Sequence, residues 1–212
     1  LEILPELERI VAAAADPFAA AVRMAIAGNV IDFGAPGGVT EGLRQELVSA
    51  LERPLAVGGE AALNRLRDMA ARAERILYVT DNTGEIVLDR LLIERLPPGS
   101  VTVAVRSGPA INDALVEDAE MAGLDQLAEV IGSGSVMPGT LLDQCFSSFV
   151  ERFRAADLVI SKGQGNFETM SEERGPIFFL LRAKCKVVAA QLSCEQGDYL
   201  VAEAEPAERR GE

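Results

Sequence analysis

The sequence predicts an α/β fold: a doubly wound, mainly parallel sheet in an α/β/α sandwich, preceded by an N-terminal helical lobe. Two observations carry this. From Arg75 onward, short apolar runs alternate with helical patterns at the interval of βαβ units. Before that point, apolar residues recur only at helical spacing. The division expected is a helical cap lobe over residues 1–73 and an α/β domain over residues 74–212 carrying the functional site.

In the lobe, a first helical pattern runs over residues 3–15. Asp16-Pro17 ends it and starts a second, which continues to about residue 33 and carries Asn29 and Asp32 before Gly34. The loop Ala35-Pro-Gly-Gly38 follows, then helical stretches near 41–51 and 60–73. In the second part, strands are expected at 76–80, 101–106, 129–132, 158–162 and 187–192. Helices are expected between them, at about 85–95, 109–121, 140–154 and 169–183. An acidic, alanine-rich tail follows Val201. Right-handed crossovers put all polar strand ends on one rim, where open α/β sheets bind their ligands.

Composition narrows the chemistry. The 212 residues contain no histidine, which removes Ser-His-Asp and Cys-His nucleophiles, histidine general bases and His-ligated zinc. The three cysteines, Cys145, Cys185 and Cys194, lack C-x-x-C spacing and read as reduced structural thiols in a cytoplasmic setting. A net charge of −13 argues against nucleic acid and anionic membranes as partners. No apolar stretch reaches the length of a membrane span, and no secretory leader is visible. The start at Leu1 rather than Met reads as a fragment lacking its true N-terminus.

The rim is dense in chemistry-bearing residues. After the first strand come Asp81, Asn82 and Glu85, hard oxygen donors suited to a divalent cation, or else a helix cap. After the second come Arg106-Ser-Gly108 and then Asn112-Asp113. Asp113 either caps a helix or completes an oxygen-ligand set with Asp81 and Asn82, since adjacent parallel strands lie about 5 Å apart. Arg106 is either a bidentate phosphate donor or the partner of a nearby acid. Gly132-Ser-Gly-Ser135 is a weaker, flexible rim loop. After the fourth strand, Lys162-Gly163-Gln164-Gly165-Asn166-Phe-Glu168 has the physics of a phosphate-binding turn: glycines, a helix N-terminus and a lysine charge. Asn29 and Asp32 either reach over this site from the lobe or simply close their helix.

Asp81-Asn-x-Gly-Glu85, Ile111-Asn-Asp-Ala114 with Glu117-Asp-Ala119, and Lys162-Gly-Gln-Gly-Asn-Phe-Glu168 together resemble the metal-dependent damage-control phosphatases. That family was formerly a domain of unknown function and is also found fused to some pantothenate kinases. Gly28-Asn29-x-x-Asp32 and Ala183-Lys-Cys185 add to the likeness, which spans about residues 28–192. The resemblance implies hydrolysis of phosphate monoesters of small metabolites, such as sugar phosphates or damaged phosphometabolites. It implies a divalent cation (Mn, Mg, Co or Ni) on Asp81, Asn82 and Asp113, with Lys162 on the phosphate. Many small prokaryotic members carry a cysteine pair near their start, and none is present here.

Combining residues and resemblance, the expected enzyme is a phosphoric monoester hydrolase using metal-activated water. Asp81, Asp113, Glu85 and Lys162 would be catalytic. Asn29, Asp32, Arg106, Lys162, Gly163, Gln164, Gly165, Asn166 and Glu168 would contact substrate. An aspartyl-phosphate mechanism fits less well, because Asp81-Asn-Thr83 lacks the second acid of D-x-D. The alternative from another class is a non-catalytic module binding a phosphorylated metabolite.

Overall fold

A computed structural model describes residues 3–28 and 41–204. Asn29 and Asp32 therefore lie outside the described residues. Helices α1 (Leu4–Ala13), α2 (Pro17–Ala27), α3 (Glu41–Ala50) and α4 (Gly59–Ala70) precede the sheet. Pro17 opens α2 with its φ already helical, and Asp16 caps it by accepting from the amide of Ala19 at 3.0 Å.

There follow β1 (Ile76–Val79), α5 (Ile86–Ile93), β2 (Val101–Val105), α6 (Val116–Met121) and β3 (Glu129–Gly132). Next come α7 (Ser147–Ala155), β4 (Leu158–Lys162), α8 (Gln164–Met170), β5 (Ile177–Arg182), α9 (Lys186–Gln191) and β6 (Tyr199–Glu203). The sheet order is β3-β2-β1-β4-β5-β6, with β1 to β5 parallel and β6 antiparallel to β5.

Two apolar cores flank the sheet, as the period of two along each strand requires. On one face Ile76, Tyr78, Val103, Ile160 and Leu180 pack under helices α1 to α6. On the other, Leu77, Val79, Val159, Phe179 and Leu181 meet Phe149 and Phe153 of α7, Phe167 of α8 and Val188 of α9. β1 and β4 are buried along their whole length, which is why β1 and the Leu158–Ile160 part of β4 read as apolar runs without alternation. The lobe helices share the first core with the sheet, α2 lying against α5.

The C-terminal third departs from expectation. Residues 187–192 are not a strand: Val187 to Gln191 belong to α9 and Leu192 caps it, with Val188 and Ala189 buried and Val187 exposed. The fifth strand lies instead at Ile177–Arg182, inside the stretch expected to be helical. Gly175-Pro176 stops helical continuation, and Ile177-Phe-Phe-Leu-Leu181 then enters the sheet between β4 and β6. A sixth strand, β6, occupies the start of the expected tail. Within 109–121 only α6 is helical. Among the described residues no helix is long and apolar enough to cross a membrane.

β1 has β2 on one side and β4 on the other, so the chain reverses its winding between β1 and β4. Ligands bind at such a switch point, outside the carboxyl ends of the strands. Asp81 and Lys162 stand at those two ends.

Candidate active site

The loop after β1 is held by backbone pairing. The amide of Thr83 donates to the carbonyl of Asn112 at 2.9 Å, and that of Ala114 donates to Asp81 at 2.8 Å. This bridge sets Asn82 opposite Asp113. The loops after β1 and β2 thus bring together the two carboxylates and the amide that the sequence singles out. On the β4 side, Gly163 has φ +79°, and a Cβ there would overlap the Asp81 carboxylate. Only glycine permits both that backbone and that approach.

Asn82 Nδ2 donates to Asp81 Oδ2 at 2.9 Å and reaches Glu85 Oε2 at 3.3 Å. Two carboxylates demand the NH₂ side of the amide, so its Oδ1 turns away from both and enters no described hydrogen bond. Asp113 is fixed from behind by Arg106, whose Nε donates to Oδ2 at 2.6 Å. The rest of that guanidinium donates to Thr140 Oγ1 at 2.6 Å and Asn166 Oδ1 at 2.8 Å. Arg106 is 3% exposed. Of its two sequence readings, the structure shows the salt bridge. Asn166 is likewise consumed, its Nδ2 donating to the carbonyls of Thr80 (2.9 Å) and Lys162 (2.7 Å).

Lys162 stands elsewhere than a phosphate-binding lysine at an open rim would. It is fully buried, and its ammonium donates to Glu85 Oε1, to Asp89 Oδ1 at 2.7 Å and to the Ala25 carbonyl of α2 at 2.8 Å. Three donors meet three acceptors, leaving none for a phosphate. Tyr78 adds a hydrogen bond to Asp89 Oδ1 at 2.8 Å. Burial opposes the lysine's charge, but Asp89 and Glu85 outweigh it and hold the ammonium above its ordinary range.

Sequence reasoning misses Asp89. It lies one turn beyond Glu85, the one acid of α5, on the buried face of that helix. That placement is its only signal. Thr140 in sequence marks merely the start of a helix.

Gln164 sits at the start of α8, where its Nε2 donates to Glu168 at 2.8 Å and its Oε1 accepts from the amide of Lys184 at 2.9 Å. Glu168 is exposed. The amides of Gln164 and Gly165 enter no described hydrogen bond. Lys184, exposed after β5, bears electrostatically on both Asp81 and Asp113.

The electrostatics are unbalanced. Among the described residues the buried charged side chains are Asp81, Glu85, Asp89, Asp113, Arg106 and Lys162, and all six fall here. Four carboxylates against two cations leave an excess of two negative charges when all are ionised. Burial first, then Glu85 and Asp113, push Asp81 up to about 7. Burial also raises Asp89 to about 6, despite Lys162. It raises Asp113 too, against the pull of Arg106.

A carboxyl with a raised folded-state pKa binds its proton more tightly folded than unfolded. The cost of its charged form is absent at low pH and grows as pH rises through roughly 4 to 7. Asp81→Asn should therefore raise the melting temperature of metal-free protein at about pH 8 by several degrees, yet barely change it near pH 5. Thermal unfolding at both pH values checks this. An equal effect at both would mean that Asp81 carries no such charge cost.

An excess of two buried negative charges fits a divalent cation. No three carboxylate or thiolate side chains among the described residues are placed to hold one ion. Protein ligation would then rest on Asp81, Asp113 and the Asn82 oxygen, a hard donor set with positions left for water and phosphate oxygens.

Residues 1–200 match the damage-control phosphatase ARMT1-like domain. The chain belongs to the ARMT1-like damage-control phosphatase family. This agrees with the resemblance carried by the three sequence motifs. This ARMT1-like chain is 45% identical over 184 residues to a Pyrococcus horikoshii protein named a damage-control phosphatase, covering 85% of this chain and 63% of that protein. It is 33% identical over 205 residues to an Archaeoglobus fulgidus damage-control phosphatase, covering 94% and 69%. A Methanocaldococcus jannaschii protein of unknown character is 39% identical over 189 residues, covering 85% and 60%. The crystal structure of the Pyrococcus horikoshii protein, described as of the DUF89 family, superposes with a TM-score of 0.83 at 39% identity, over 96% of this chain and 72% of that one. The chain thus spans about three fifths to two thirds of the length of these relatives.

Proposed function

We propose that this chain is a metal-dependent phosphatase that hydrolyses phosphate monoesters of small metabolites, sugar phosphates or damaged phosphometabolites among them. The observation that carries the reading is the buried excess of two negative charges at the switch point, in a chain two of whose relatives are named damage-control phosphatases. Asp81, Asn82 and Asp113 would hold the cation. When bound, it would supply charge neutralisation for the phosphoryl group and a more acidic water.

The protein's own contribution is positioning. Arg106 holds Asp113, Glu85 fixes the face of the Asn82 amide, and Lys162 holds Glu85 through the Glu85–Lys162–Asp89 cluster. The phosphoryl oxygens fall to Lys184 and the first amides of α8, a division of labour suited to a reaction governed by positioning and electrostatics. Lys162 thereby acts on the phosphate through Glu85 rather than by contact. We also place the protein in the cytoplasm, a reading supported by three free cysteines.

Hydrolysis of a generic phosphate ester should vanish after EDTA treatment and return with Mn²⁺, Mg²⁺, Co²⁺ or Ni²⁺, followed by phosphate release. Full activity in rigorously metal-free protein would defeat the proposal. So would tight binding of a phosphorylated metabolite with no phosphate released, which would establish a binding module instead.

A further inference from the structure

The two flanks of the switch point differ in character. On the β5 side stands the charge of Lys184. On the β2 and β3 side several large apolar side chains stand in solvent, among them Ile111 (89% exposed), Val136 (58%) and Met137 (43%). Isolated apolar residues on a surface need no explanation. These three are joined by what fixes them to the site.

Ile111 lies in the turn that delivers Asp113, closed by the Asp113 amide donating to Ala110 at 2.9 Å. Its φ is +53°. A β-branched residue is a rare occupant of the left-handed region, where Asn, Asp or Gly sit with less strain. Such strain concentrates at ligand-binding positions. Here the turn carries a large apolar side chain outward, two residues before a proposed metal ligand.

The loop bearing Val136 and Met137 is tied to the same residues. The amide of Ser107 donates to Ser135 at 2.9 Å, and Val136 packs so closely on Gly108 that a Cβ there would come within 2.9 Å of it. At the loop's far end, the Thr140 amide donates to Thr169 Oγ1 of α8 at 2.8 Å, and Thr140 Oγ1 holds Arg106. Both apolar segments are therefore anchored to the residues that fix Asp113, on the β2 and β3 side of the switch point.

We propose that Ile111, Val136 and Met137 form an apolar lip on which the organic part of the substrate packs. On this view the preferred phosphate monoesters carry an apolar face next to the ester oxygen. This rests on the phosphatase reading above and narrows its substrate class.

The test compares n-butyl phosphate with glycerol 3-phosphate, whose leaving alcohol is the more acidic of the two, so that leaving-group reactivity runs against the expected preference, on the Mn²⁺-loaded protein. Wild type should favour the butyl ester in kcat/KM by about tenfold, the scale of a few apolar contacts. Ile111→Asn combined with Val136→Ser should bring the ratio to about one through a higher KM for the butyl ester. Inorganic phosphate should inhibit variant and wild type alike. Asn accommodates positive φ, so the melting temperature should hold or rise; Val136→Ser alone should give a smaller shift in the same direction. If wild type hydrolyses a generic phosphate ester but neither of these two, the lip is overturned; if it hydrolyses none of them, the phosphatase reading falls and the lip with it. If both are hydrolysed and the substitutions leave the ratio unchanged, the lip alone is overturned. A change of oligomeric state at an unchanged ratio would likewise overturn it, marking these residues as a contact between copies of the chain.

Discussion

Asp81→Ala and Asp113→Ala should each lower phosphate-ester hydrolysis by at least about a hundredfold, because each removes one of two charged ligands from a site whose cation would supply several kcal/mol of transition-state stabilisation. The consequences for stability should differ. Asp81 is a buried carboxylate crowded by Glu85 and Asp113, so its loss relieves repulsion in the metal-free protein. Loss of Asp113 instead leaves the buried Arg106 without its carboxylate partner, and metal-free Asp113→Ala should melt lower than wild type. Parallel measurements of kcat/KM and melting temperature separate the two. Near-normal activity in Asp113→Ala would reduce that residue to a buried partner of Arg106; the helix cap that the sequence also allowed is excluded, since α6 begins at Val116 with Leu115 at its cap.

The largest stability effect should come from Lys162. Replacing it by methionine keeps most of the side-chain volume but leaves Glu85 and Asp89 buried without their cation. Breaking a buried pair in this way costs about 3–5 kcal/mol, or on the order of 10 °C in a domain of this size. A solvated lysine beside a glycine turn would cost less than about 0.5 kcal/mol. Urea denaturation of wild type and Lys162→Met decides between the two. Adding Glu85→Gln and Asp89→Asn should recover part of the loss, because the charges left unpaired are then gone. The sequence alone suggests that removing Lys162 would weaken phosphate binding and spare the fold; the buried cluster makes the fold the first casualty.

That reversal marks the limit of what was legible. The ends of β1, β2 and β4 could be read because buried parallel strands are short apolar runs and the polar residues after them break the pattern abruptly. From those ends followed the shared polar rim and the expectation that Asp81, Asn82 and Asp113 meet there; the strand order, and with it the switch point, came only from the structure. The depth at which each rim residue sits did not follow. Lys162 and Arg106 look like surface cations in sequence, and their burial depends on partners (Asp89 on the buried face of α5, Thr140 and Asn166 from other loops) that no local pattern connects to them. The misplacement of β5 has a different cause. Ile177-Phe-Phe-Leu-Leu181 is fully apolar, so it shows neither alternation nor a helical stripe, and only Gly175-Pro176 marks its start. The β-branched pair Val187-Val188 then attracted the strand that belonged ten residues earlier.

The central claim is that Asp81, Asn82 and Asp113 form a divalent-cation site. Calorimetric titration of metal-free protein with Mn²⁺ tests it most directly, because it reads binding without requiring the right substrate. One ion should bind per chain, with binding lost or greatly weakened in both Asp81→Ala and Asp113→Ala. No binding in the wild type, or equal affinity in wild type and both variants, would contradict it.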